Sequence, residues 1–258
     1  MPLDSLNIES WLVYLMIWAR LMGIVFLFPF FSWRGIPFAL RLWLSLVLAL
    51  LLFLSMEGAP AFVIRDPLEM VILLVKEVMT GLALGYLVML FFSVFLNAGL
   101  MVDLKSGLML SGVFDPQFGS QVTFMGQFYY LLSMVFYLTL NGHHYFLQAL
   151  ADSYTVIPLG TGLFARELAG GMVRLFADLF YLAFQIVAPV AVILLLMDVA
   201  LGLIAKTVPQ VHVFIEGLPL KIALSLLLLA LMVPLMGVVW ENILARFIEN
   251  LVQFMQGW

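Results

Sequence analysis

Five ionisable residues lie inside runs of hydrocarbon side chains: Arg20, Lys76, Glu77, Asp178 and Asp198. A charge so placed costs about 2.5–3.5 kcal/mol on insertion scales, so it faces protein or water rather than lipid. Three roles suit such residues: a proton or ion path, polar contacts between subunits, or internal ion pairing that fixes packing. Lys76 and Glu77 are adjacent, so on a helix they point about 100° apart and cannot neutralise each other. Each needs a partner elsewhere. His143-His144 invites a metal or proton-relay role, but neighbouring helical positions do not converge on one ion, and no HExxH or Cys/His set accompanies them. Nor is there Ser-His-Asp spacing or a phosphate-cradling glycine loop. The residues predict no catalytic site, no metal and no cofactor.

The stretch Asn97–Gln127 is the other place where chemistry concentrates. Between apolar flanks it carries five glycines, Pro116, Asp103, Lys105 and Asp115, with a run of Ser, Thr, Asn and Gln. Glycine admits backbone angles closed to other residues, and Pro116 lacks an N–H and biases Asp115 away from helix. Lipid cannot satisfy the unpaired N–H and C=O groups that such a backbone leaves. The stretch therefore lies outside the membrane or lines a cavity shielded by protein, and a plain connecting loop meets the first condition. Met101, Met109 and Met125 are flexible enough to form an adaptable seal there, although core packing accounts equally for any one of them.

Composition says what must position these residues. Of 258 residues, 65% are hydrophobic and 10% charged, and mean hydropathy is +1.17. A soluble domain is nearer half apolar and a quarter charged, so this is an integral-membrane class of chain with no separate soluble domain. The net charge of −4 is scattered along the chain, which argues against nucleic acid and against a polybasic lipid patch. Cysteine is absent, excluding disulfides and thiol chemistry. The first ten residues hold Asp4 and Glu9 but no Lys or Arg, unlike a cleavable signal peptide.

Six apolar segments are predicted, all helical. The first runs from Trp11 to Phe31, with N-cap chemistry at Asp4, Ser5 and Asn7. A turn over Ser32–Pro37 leads to the second, Phe38–Met56. Asp66 and Pro67 cap and open the third, Leu68–Leu96, which holds Lys76, Glu77, Gly81 and Gly85. The fourth, Phe128–Leu140, is short for a span and is interrupted by Asn141-Gly142-His143-His144, after which Tyr145–Ala151 continues as helix. Asp152–Gly162 reads as a turn. The fifth segment, Leu168–Lys206, contains Pro189; Pro209-Gln210 and Gly217-Leu218-Pro219 read as the next turn. The sixth runs from Pro219 to Trp240 with an amphipathic tail to Trp258. Gly81 and Gly85 have the spacing that lets helices approach closely, within the chain or with a partner. Loop charge does not set orientation: one side would hold five Lys/Arg and the other four.

The order and spacing of many small motifs resemble the FliR family of flagellar export-gate proteins, whose virulence counterpart is SctT. The resemblance spans nearly the whole chain: Arg20 with Pro29, Gly35-Ile36-Pro37 to Arg41, Lys76-Glu77 with Gly81 and Gly85, and Gly99 with Asp103. It continues through Asp115-Pro116, Asn141-Gly142-His143-His144, Pro158 with Gly160, Pro189, Asp198, Gly202, Pro209-Gln210 and Gly217-Leu218-Pro219-Leu220-Lys221. It implies an all-α protein of kinked, tilted helices, with residues 1–167 similar to FliP and 168–258 to FliQ. It implies one copy joining several FliP and FliQ copies, with FlhB, in the bacterial inner membrane at the flagellar basal body, part of the complex being periplasmic. It also implies passage of unfolded flagellar subunits past a plug loop, here Leu110, Ser111, Gly112, Val113, Phe114, Asp115, Pro116, Gln117, Phe118 and Gly119. Arg20, Lys76, Glu77, Asp103, Lys105, Asp178 and Asp198 are then candidate assembly residues. A secondary transporter or ion channel for small solutes, built on the same interior charges, is the alternative.

Overall fold

Runs rich in Leu, Ala, Met and Phe have high helix propensity, and in an apolar solvent a helix satisfies every backbone group within its own segment. The computed structural model follows that rule. It describes residues 8–32, 35–56, 66–110, 123–162, 166–207 and 213–256. Among these are seven α-helices and no strand: α1 (Ile8–Leu27), α2 (Phe38–Ser55), α3 (Pro67–Ser106), α4 (Phe124–Thr139), α5 (Gly142–Val156), α6 (Arg166–Thr207) and α7 (Val213–Gln256). One 3-10 turn, Leu108–Leu110, follows α3. Five helices, all but α4 and α5, contain stretches long and apolar enough to cross a membrane. The N-cap residues expected before α1 lie outside the described residues, while Pro67 does occupy the first helical position of α3.

The boundaries differ from the sequence expectation in several places, α1 ending at Leu27 rather than Phe31 and α4 starting at Phe124 rather than Phe128 among them. Helix α3 runs on to Ser106, so the first ten residues of the glycine-rich stretch are helical. Gly99 survives there because tertiary packing outweighs its propensity penalty of about 1 kcal/mol. Helix α5 runs to Val156, absorbing the start of the expected turn at Asp152. Gly217-Leu218-Pro219 lies inside α7, not in a turn. There a side chain at Gly217 would come within 2.8 Å of Leu201, so the site is packed rather than looped. Finally, the break before α5 is complete, raising the number of helices from six to seven. Asn141 holds φ 56°, a left-handed conformation that Asn tolerates, and Gly142 is pressed against the Tyr137 ring.

The chain forms two units that interleave in sequence. One comprises Met1–Leu90, His143–Arg174 and Phe247–Trp258; the other comprises Phe91–Gly142 and Leu175–Arg246. In the first, α1 crosses α3 at a contact made by three glycines. A Cβ on Gly23 would sit 2.7 Å from the Val78 carbonyl oxygen, and one on Gly85 would sit 3.1 Å from Ile24 Cα. A Cβ on Gly81 would overlap the Arg20 carbonyl outright. The GxxxG pair is thus used within the chain, against α1. On its other side α1 is tied to α2 by Tyr14, whose hydroxyl donates to the Leu46 carbonyl at 3.2 Å, and by the Trp18 indole, which donates to Ser45 Oγ at 3.0 Å.

Because backbone rather than a flexible side chain opposes Gly81, Gly81→Ala is expected to lower stability by about 1–3 kcal/mol through forced separation of the helices. Thermal unfolding of the full chain in mild detergent reads this. Gly202→Ala, where nothing lies within 4 Å, is the matched control and should be neutral or slightly stabilising.

The second unit is built on aromatic packing. Trp240 of α7 is 1% exposed and stacks on Phe95 of α3, with centroids 4.1 Å apart and planes at 10°. Phe91 meets the same indole edge-on at 5.2 Å, and Tyr137 of α4 packs against Phe92 at 5.3 Å. These contacts hold α3, α4 and α7 together without any ionic group.

Candidate functional site

Two buried polar nodes organise the functional residues. The first centres on Arg20 and Glu77, both fully buried. Arg20 Nε donates to Glu77 Oε2 at 2.7 Å. The remaining nitrogens close the C-terminal end of α5: Nη1 donates to the Ser153 carbonyl at 3.1 Å and Nη2 to the Ile157 carbonyl at 3.0 Å. The Ser153 carbonyl also accepts the Ile157 N–H at 2.9 Å, so Arg20 is its second donor. Carbonyls at a helix end carry partial negative charge, which a guanidinium fork suits. Glu77 in turn accepts the Gly160 N–H on Oε1 at 2.7 Å. Gly160 holds φ 79°, open to glycine at little cost, which turns its amide into the node. The Tyr154 ring lies 4.4 Å from the guanidinium carbon, and its hydroxyl donates to the Ile17 carbonyl at 3.2 Å. Burial pushes the Tyr154 phenol up, with Arg20 pulling it back less strongly, so it remains a neutral donor.

Charge is therefore neutralised and hydrogen-bonded throughout, the condition under which a buried ion pair is tolerated. Nothing in the node is left over to move a proton. Arg20 and Glu77 are each other's partner. Ser153, Ile157 and Gly160 act through backbone atoms, which sequence reasoning missed because a carbonyl carries no residue signature.

The second node is Asp103, also fully buried. Its carboxylate accepts the Met125 N–H on both oxygens, at 3.1 and 3.0 Å, and the Gly126 N–H at 3.2 Å. These are the second and third residues of α4, whose first amides have no intrahelical acceptor. Thr123 stands at the N-cap but makes no side-chain capping bond, so α4 is capped by Asp103 of α3 instead. Gly99, one turn earlier on α3, permits this approach, since a Cβ there would overlap the Met125 carbonyl. Asp103 thereby fixes the place where the chain leaves α3 relative to the place where it re-enters helix at Phe124. Of the ten loop candidates, Leu110 ends the 3-10 turn, and residues 111–119 lie outside the described residues.

The other charged candidates do not join either node. Lys76 is half-buried, and Lys105 is exposed in the last turn of α3, where a cation complements the helix dipole. Asp178 is exposed on α6. Asp198 pairs with Lys221 at 2.6 Å, partly exposed on both sides, and so joins α6 to α7. Such a pair is worth about 0–1 kcal/mol in water. Lys221→Met should accordingly shift the melting temperature of detergent-solubilised protein only slightly, a small change beside that from altering Arg20. The His143 and His144 rings lie 4.3 Å apart, and no group of three or more His, Cys, Asp or Glu among the described residues is arranged to hold a metal.

Comparison with known proteins gives these nodes their context. Residues 11–247 match the family model described as bacterial export proteins, family 1. The chain is 32% identical over 247 residues to the flagellar biosynthetic protein FliR of Bacillus subtilis, covering 95% of each chain. The chain belongs to the FliR family. It is also 26% identical to FliR of Aquifex aeolicus over 98% of both chains, and 24% identical to that of Pectobacterium carotovorum over 92% of this chain and 90% of the relative. Both buried nodes and all five candidate spans fall wholly or mainly within the matched range. The resemblance read from scattered Gly, Pro and charged positions was thus to the right family.

Proposed function

We propose that the role of this chain in flagellar protein export is that of a gate subunit. It joins several copies of FliP and FliQ, with FlhB alongside, in the bacterial inner membrane at the basal body, part of the complex lying on the periplasmic side. Residues 1–167 take a FliP-like place and 168–258 a FliQ-like one. The segment Leu110–Gly119 serves as the plug that unfolded flagellar subunits displace. The observation that carries this reading is the Asp103 node. It pins both ends of a glycine- and proline-containing segment whose composition is unfit for lipid, in a member of a bacterial export family. A loop that is to yield and reseat needs a fixed neck, and a buried carboxylate holding two helix amides supplies one.

The chain acts without catalysis, and energy for export comes from other components. A solute transporter built on Lys76, Glu77, Asp178 and Asp198 is less well supported, because Glu77 is held by Arg20 and Asp198 by Lys221. The test has two parts. Co-expression with FliP- and FliQ-like partners, followed by native mass spectrometry, should give one large complex containing a single copy of this chain. Replacing Gly112–Gly119 by a short Gly-Ser linker should leave that complex intact and make membranes containing it leak small ions at rest. A tight membrane with normal export would remove the plug from the reading, and a lone monomer with saturable solute uptake would replace the reading altogether.

A further inference from the structure

Helix α4 has two acceptors for the same amides, and only one of them is in use. Thr123 is its N-cap by position: φ −72° and ψ 120° place it in the extended region, and its carbonyl accepts the first intrahelical bond, from the Gln127 N–H at 2.9 Å. Threonine at an N-cap ordinarily turns its side-chain oxygen to the amide of the second or third helical residue, here Met125 or Gly126. The Thr123 hydroxyl makes no such bond, and both amides are held by Asp103.

The hydroxyl is nevertheless kept beside them. Thr123 is buried, and a Cβ on Gly126 would overlap its Oγ1 outright. Glycine is a poor helix former, and at this position its missing side chain is what leaves the hydroxyl room. Because the backbone of Thr123 already lies in the N-cap region, bringing Oγ1 onto an amide requires a new χ1 rotamer and no change of fold.

The contact that the hydroxyl would replace is one that can open. Asp103 is fully buried and has no cation partner among the described residues. Amide N–H groups alone hold its carboxylate, whereas Glu77 also has a guanidinium. A buried carboxylate without a counter-charge keeps most of its desolvation cost, which offsets much of what the amide bonds contribute. Moving the first turn of α4 away from α3 would leave its amides bare if no other acceptor stood near. Thr123 is that acceptor.

We infer that Asp103 and Thr123 exchange caps. Asp103 holds the first turn of α4 against α3, and when that contact opens the Thr123 hydroxyl takes over one amide, so α4 stays helical while its tie to α3 is broken. The exchange rests on the gate reading for its use alone: at the neck of a plug it permits opening without unwinding the helix behind.

Thr123→Val, the same shape without the hydroxyl, tests this in the full chain in mild detergent. With Asp103 present the substitution should leave hydrogen exchange of the Met125 and Gly126 amides unchanged and should not lower the melting temperature. In the Asp103→Ala background it should speed exchange at one of these amides roughly fivefold, the usual effect of one N-cap, and lower the melting temperature further. Thr123→Ser, which keeps the oxygen, should restore the slower exchange. Asp103→Asn is the second background, in which the same pattern is expected in smaller degree. Equal effects of Thr123→Val with and without Asp103 would overturn the inference, because the hydroxyl would then be bonded already. No effect in any background would overturn it too, because the hydroxyl would then never cap. In the co-assembled gate Thr123→Val should slow export several-fold without raising resting ion leakage, since it disfavours the open neck alone. Normal export alongside the expected exchange pattern would remove the plug from the gate reading and leave the exchange of caps standing.

Discussion

Arg20→Met is expected to lower the stability of the folded chain by about 3–5 kcal/mol, the usual cost of removing one member of a buried ion pair. The loss arises in two places. Glu77 is left as an uncompensated carboxylate in a site with no access to water. At the end of α5 the Ile157 carbonyl loses its guanidinium donor, and the Ser153 carbonyl keeps only the Ile157 N–H. The double variant Arg20→Met with Glu77→Gln separates these contributions. It removes the stranded charge and keeps an acceptor for Gly160, so it should recover a substantial part of the loss. Thermal unfolding of single and double variants in detergent provides the comparison. If the double variant is no more stable than Arg20→Met, the lost α5 contacts rather than the stranded charge dominate. If Arg20→Met alone unfolds like the native chain, the node is not a source of stability at all.

Asp103→Ala is expected to cost about 2–3 kcal/mol, combining loss of a helix cap with two buried amides left without an acceptor. Its second consequence is local. The Met125 and Gly126 amides should exchange hydrogen far faster, because the first turn of α4 then has nothing to hold it against α3. Asp103→Asn keeps an acceptor without the charge and should lie between the two. In a co-assembled gate, Asp103→Ala should also raise resting ion leakage, since the neck of the proposed plug would be loosened. Hydrogen exchange that stays slow in Asp103→Ala would show that Gly99 packing, not the carboxylate, holds the neck.

Much of this was legible in one dimension. The apolar runs announce helices because a membrane-class chain has no other economical backbone solution, and Pro67 marks the start of α3 by its missing N–H. Gly81 and Gly85 announce a close helix contact by their spacing alone. Boundaries were less legible. Gly99, Gly217 and Pro219 are weak helix formers, and local propensity treats them as turns. Each stays helical, the two glycines against close neighbours, Met125 for Gly99 and Leu201 for Gly217.

The partners of the interior charges were not legible at all. Lys76 and Glu77 are equally charged and adjacent in sequence, yet only Glu77 faces Arg20, because one position's turn of the helix separates buried from half-buried. Asp103 looked like part of a polar loop and is a helix cap for residues more than twenty positions away. Composition and periodicity are properties of neighbouring residues, so the sequence by itself determined the solvent, the helical class and the family. Which charges are spent on stability, and against which partner, depends on contacts between distant segments. Only the tertiary structure decides those.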